Sequence, residues 1–129
     1  LQRLPWTVDI REVEVRKNLS GKKLAFAEAE LLENALPDRA TLIAMDETGK
    51  TLSSDSFAQR LGRWRDDGIA DVAFVIGGAN GLHPDLRDKA NLVLSLGAMT
   101  WPHILARAML MEQLYRAHTI LTGHPYHRA

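Results

Sequence analysis

The sequence predicts an α/β domain in which a parallel sheet is flanked by helices. Three observations carry that expectation. Strand-like and helix-like patterns alternate along the chain; the strand candidates at 41–45, 72–76 and 92–96 are apolar almost throughout; and each runs into a turn or loop of small and polar residues. Continuous apolar strands are those covered on both faces, the situation of parallel strands joined by helical crossovers. A chain of 129 residues fits one domain around one core, so residues 1–129 are expected to form a single unit.

The elements follow in order. Residues 7–16 alternate apolar and polar through Val8 and Ile10, then again through Val13 and Val15, as in a half-exposed strand with a phase break. Ser20 is placed to cap a helix whose apolar stripe runs Leu24, Ala27, Leu31, Ala35, ending at Pro37 and Asp38. The apolar run 41–45 is a buried strand bounded by Asp46 and the turn-forming Gly49. Ser53, Ser54 and Asp55 then open a helix that carries Phe57, Leu61 and Trp64 on one face and stops at Gly68. Residues 72–76 form a strand entering Gly77 and Gly78, and Pro84 sits where a first-turn proline opens a short helix. Residues 92–96 make another strand before Gly97. From Pro102 a long helix runs through Leu105, Ala108, Leu110, Met111, Leu114 and Tyr115, and a polar tail with Gly123 and Pro125 follows.

Composition narrows the chemistry. Lys plus Arg equals Asp plus Glu at 16 each, which argues against a protein that binds nucleic acid mainly by a strong basic field. The absence of cysteine removes thiol nucleophiles, thiolate zinc sites and iron–sulfur clusters, leaving oxygen and nitrogen groups or a bound cofactor. No apolar run approaches the roughly 18 residues of a membrane span. A cytoplasmic protein with no membrane association is expected.

Ligands of open α/β sheets bind beyond the carboxyl ends of the strands, and here those ends carry the loops at 46–50, 77–83 and 97–101. The segment F-V-I-G-G-A-N-G (74–81) puts glycines where a flat ligand approaches the backbone. It is neither a phosphate-binding Walker loop, which needs Gly-Lys-Ser/Thr, nor a dinucleotide fingerprint, since Ala79 breaks that spacing. A plain turn explains it equally well. In L-S-L-G-A-M-T-W-P-H (94–103), Met99 and Trp101 offer apolar walls suited to an adenine ring and a thioether, though both residue types are also ordinary core. Glu112 and Arg116 are spaced as an i, i+4 ion pair on a helix face. The closing G-H-P-Y-H-R (123–128) combines hydrogen bonding, stacking and charge, the mixture that meets single-stranded RNA. His124 and His127 have no third ligand at recognisable spacing, so no metal is expected.

Four ordered segments, G-G-A-N-G-L, L-S-L-G-A-M-T-W-P-H, E-Q-L-Y-R-A and H-P-Y-H-R, resemble the bacterial large-subunit (23S) ribosomal RNA pseudouridine N3-methyltransferases. These form a minimal branch of the SPOUT superfamily without an accessory RNA domain. The match runs from Pro5-Trp6 to the last residues, and it implies a first strand and helix ahead of Leu1. It implies a SPOUT-type α/β fold whose carboxyl-terminal portion threads into a deep trefoil knot, against the general rule that chains do not thread loops.

It also implies S-adenosylmethionine as donor, a homodimer, and 23S rRNA on the assembled ribosome as partner. By position, Met45, Gly77, Leu96, Gly97, Ala98, Met99, Thr100 and Trp101 match the cofactor-lining residues. Asn80 lies where the family varies and takes no role. The weakly acidic N3–H of a pseudouridine must lose its proton or have its anion stabilised. The resemblance places the tail of one subunit at the cofactor pocket of the other, which makes Tyr126, His127 and Arg128 the catalytic candidates. Among these His127 is the candidate base and Arg128 the candidate rRNA or anion contact. The helix 102–118 would pack across the two-fold, and Arg16, Lys17, Lys22 and Lys23 are further basic positions for rRNA. Two other readings stay open: a SPOUT enzyme acting on transfer RNA, and a non-catalytic α/β module that binds a nucleotide or a protein.

Overall fold

A computed structural model describes residues 21–76, 82–97 and 102–123. Its elements are α1 (Gly21–Ala35), β1 (Thr41–Thr51), α2 (Ser54–Asp66), β2 (Val72–Ile76), α3 (Pro84–Lys89), β3 (Leu92–Ser95) and α4 (His103–Thr122). The expected strand at 7–16, the capping Ser20, the loops at 77–81 and 98–101 and the tail 124–129 lie outside the described residues.

The described strands form a parallel three-stranded sheet in the order β2-β1-β3. β1 is central, and its first five residues are all buried. Successive side chains of a strand point to opposite faces, and β1 feeds a separate core on each side. Ile43 and Met45 join Leu92 and Leu94 against Phe57, Ala58 and Leu61 of α2 and Leu110, Leu114 and Ala117 of α4. Leu42 and Ala44 join Val75 against Ala29 of α1 and Leu82 and Leu86 on the α3 side. Helices therefore cover both faces, as expected. Asn91 sets the register of β3: its side-chain oxygen accepts from Leu42 N at 2.9 Å and its backbone N–H donates to Leu42 O at 2.8 Å.

The helix boundaries follow local chemistry. Ser53 accepts from Ser56 N at 3.1 Å and caps α2, and Gly68 adopts φ +80° just past its end, a conformation that glycine takes without steric penalty. At α3 the cap is His83, whose Nδ1 accepts from Asp85 N at 3.1 Å ahead of Pro84. α4 ends at Gly123, φ +74°, and so runs through Thr122, into the stretch read from sequence as tail.

Two strands differ from expectation. β2 is only partly covered, with Val75 its one buried residue. β1 does not stop at Met45. Residues 46–49 bulge out, after which Lys50 pairs with Leu94, the residue that Met45 also faces, and Thr51 pairs with Ser95. Asp46 closes the bulge by accepting from Thr48 N at 3.1 Å and from the Thr48 hydroxyl. Gly49 then lets the backbone lie against β3, since a Cβ there would stand 2.5 Å from Val93 O. What reads as a turn is a bulge that rejoins the sheet.

Candidate functional site

Because the strands are parallel, their carboxyl ends share one edge: Met45 is in register with Ile76 on one side and with Leu94 on the other. The bulge 46–49 and the residues following β3 leave from this edge. Beside it opens a cavity of about 410 Å³, within the size range of small-molecule sites. Its floor is apolar, with Phe57, Leu94 and Leu110 from the core and Leu52, Leu96 and Met109 around them. Polar groups sit on the wall formed by α2 and α4. Ser54 Oγ donates to Gln113 Oε1 at 2.8 Å across the two helices, and Glu112 is held by Arg116 at 2.6 Å.

The predicted site residues divide. Leu96 and Gly97 line the cavity. Met45 is 7% exposed and packs in the same cluster as Phe57, Leu94 and Leu110, which places it in the layer that supports the floor. Gly77, Ala98, Met99, Thr100, Trp101, Tyr126, His127 and Arg128 lie outside the described residues. The sequence reading missed Ser54, Met109 and Gln113 as lining residues. Ser54 was legible only as part of a helix start, and nothing in the spacing of Gln113 sets it apart from a solvated helix position.

Ser95 is also absent from that reading. It ends β3 at 6% exposure. Its hydroxyl accepts from Gly97 N at 3.0 Å and lies 2.8 Å from Gly97 O and 3.2 Å from Glu47 O. On the opposite side of the bulge, Arg87 Nη1 is 3.5 Å from the Asp46 carboxylate and 3.4 Å from Thr48 Oγ1, long contacts that add little beyond charge. Among the described residues no group of three or more His, Cys, Asp or Glu is placed to hold a metal ion, and no helix is long and apolar enough to cross a membrane.

The sequence profile of the family described as "Predicted SPOUT methyltransferase" matches residues 1–127. The chain belongs to the SPOUT methyltransferase family. Its similarity to individual SPOUT proteins is close. It is 56% identical over 127 residues to a protein of Rhodospirillum centenum named ribosomal RNA large subunit methyltransferase H, covering 98% of this chain and 84% of the relative. Proteins of the same name from Paramagnetospirillum magneticum, 56% identical over 119 residues (92% and 78% covered), and Cereibacter sphaeroides, 58% over 121 (94% and 75%), are similar too. Membership of the SPOUT family implies S-adenosylmethionine as the methyl donor. The cavity suits that molecule, with an apolar floor for the adenine and thioether parts and hydroxyl, amide and carboxylate groups on one wall for the polar ends.

Proposed function

We propose that this chain is an S-adenosylmethionine-dependent methyltransferase that modifies N3 of a pseudouridine in 23S ribosomal RNA on the assembled ribosome. The observation that carries the reading is the cavity at the carboxyl edge of the sheet, lined by Leu96 and Gly97 at the start of the loop singled out by the motif resemblance. The names of the relatives supply the substrate class, since each is a ribosomal RNA large subunit methyltransferase.

In this reading Leu96 and Gly97, together with Gly77, Ala98, Met99, Thr100 and Trp101, bind the donor while Met45 supports the floor. The donor supplies a methyl group activated by its positive sulfur. The protein's task is then alignment of the attacking nitrogen, the usual source of most of the rate in such transfers. His127 takes the N3 proton, and Tyr126 and Arg128 hold the developing anion and the rRNA. These three come from the tail of a second copy, so a homodimer is required. Ile104 and Leu105, 71% and 44% exposed at the start of α4, are apolar surface of the kind a two-fold contact covers. We further propose a single domain whose carboxyl-terminal portion threads into a trefoil knot, and a cytoplasmic location.

Two measurements test this. Calorimetric titration with S-adenosylmethionine is expected to show one site per chain; no uptake would leave only a non-catalytic module. Methyl incorporation is expected with ribosomes and not with transfer RNA, and mass mapping of rRNA from cells lacking the protein is expected to lose one methyl on a pseudouridine. Incorporation into transfer RNA instead would overturn the substrate assignment.

A further inference from the structure

We propose that Ser95 is a positioning residue for the methyl donor, its hydroxyl clamping the glycine turn that begins the donor-binding loop and tying that turn to the bulge in the central strand. The inference rests on the reading of the cavity as the donor site.

Gly97 adopts φ +122°, and among the described residues nothing lies within 4 Å of where its Cβ would be. A glycine in open space has no steric preference that fixes its backbone. The conformation of the turn must therefore come from its hydrogen bonds, and those identified at this turn converge on Ser95. The hydroxyl accepts from Gly97 N at 3.0 Å and has two carbonyls within reach, Gly97 O at 2.8 Å and Glu47 O at 3.2 Å. One hydroxyl carries one proton, so it donates to one carbonyl or the other in turn, closing the turn on itself in one state and joining it to Glu47 in the other, while the oxygen accepts from Gly97 N in both. Glu47 belongs to the bulge 46–49, which Gly49 presses onto Val93. One buried side chain thus fixes the turn at Leu96 and Gly97 and joins it to the bulge within β1.

Removing the hydroxyl leaves the Gly97 amide without this acceptor and frees the turn to sample other conformations. Donor affinity falls in proportion to the fraction of molecules that keep the competent turn. The residues proposed to meet the RNA, Tyr126 and Arg128, are others, which makes the KM for ribosomes the internal control.

The test uses the full chain and S-adenosylmethionine itself. Ser95→Ala is expected to weaken donor binding by about tenfold and to raise the donor KM in parallel. The KM for ribosomes and kcat at saturating donor should stay within about twofold, on the same argument. Ser95→Thr keeps the hydroxyl and is expected to recover most of the affinity. Leu86→Val, in the core on the opposite face of the sheet, controls for lost stability, since it lowers Tm without changing donor affinity. Unchanged donor affinity in Ser95→Ala, an equal rise in both KM values, or a threonine variant as weak as the alanine one would each overturn the proposal. If the unsubstituted chain takes up no donor, the reading of the cavity fails and this inference with it; if it does and Ser95→Ala matches it, only the inference fails.

Discussion

At the scale of single residues, the sheet depends on positions where one atom too many, or one acceptor too few, changes the fold locally. Gly49 is the sharpest case. A methyl group there meets the Val93 carbonyl at 2.5 Å and its carbonyl carbon at 2.7 Å, and neither is a side chain able to swing away. Gly49→Ala is expected to cost about 2–3 kcal/mol in denaturant unfolding, in the range of overpacked cores. Because the displaced backbone belongs to β3, donor affinity should fall with it. His83 is the milder case. As the acceptor that caps α3, its replacement by Ala is expected to cost about 1 kcal/mol, and His83→Asn, which keeps a short acceptor, should recover most of that. Equal stability of the two variants would show that the cap contributes nothing. Gly49 was legible in the sequence as a turn residue. That it is needed for close approach to a neighbouring strand was not, because Val93 is 44 positions away and no local pattern connects them.

Among the elements, the pairing of α2 with α4 decides the shape of the cavity wall. Gly62 lies in the middle of α2, where glycine is a poor helix former, yet a Cβ there would come within 2.8 Å of Leu121 Cδ2 on α4. Two effects oppose each other at this position: alanine favours the helix by about 1 kcal/mol, and Leu121 Cδ2, the end of a flexible side chain, must turn aside to admit the methyl. In the native background Gly62→Ala is therefore expected to change stability by less than about 0.5 kcal/mol, whereas with Leu121 already shortened to Ala the same change should stabilise by about 1 kcal/mol. A double-mutant cycle of thermal unfolding reads that difference directly, and additivity of the two substitutions would show that the contact carries no cost. The existence and order of these helices were readable from the Ser53 cap, the Phe57, Leu61, Trp64 stripe and Pro102. The bulge in β1 was not. It depends on Lys50 and Thr51 finding β3, a non-local pairing, after Asp46 and Thr48 have closed a local turn.

For the whole molecule, the start of α4 leaves Ile104 and Leu105 exposed beside an otherwise packed core. Ile104→Glu combined with Leu105→Glu changes exposed positions, so the fold is expected to hold within about 0.5 kcal/mol. Sedimentation should then show a monomer in place of a dimer, and methyl transfer to ribosomes should be lost while donor uptake remains. A dimer that survives both substitutions would exclude this surface as the interface. Local sequence patterns were enough to read the α/β class and the order of the described strands and helices. Those depend on hydrophobic periodicity, caps and breakers, which act within a few residues of each other. The motif resemblance pointed to the SPOUT methyltransferase family from the same string of residues. Long-range packing was needed to show that β1 is central, that Met45 stands in the core beneath the cavity, that Ser54 and Gln113 form part of its wall, and that the Ser95 hydroxyl lies between the turn at Gly97 and the bulge at Glu47. Each of these is a meeting of segments far apart in the chain, fixed by which faces are buried together, and residue spacing carries no record of that.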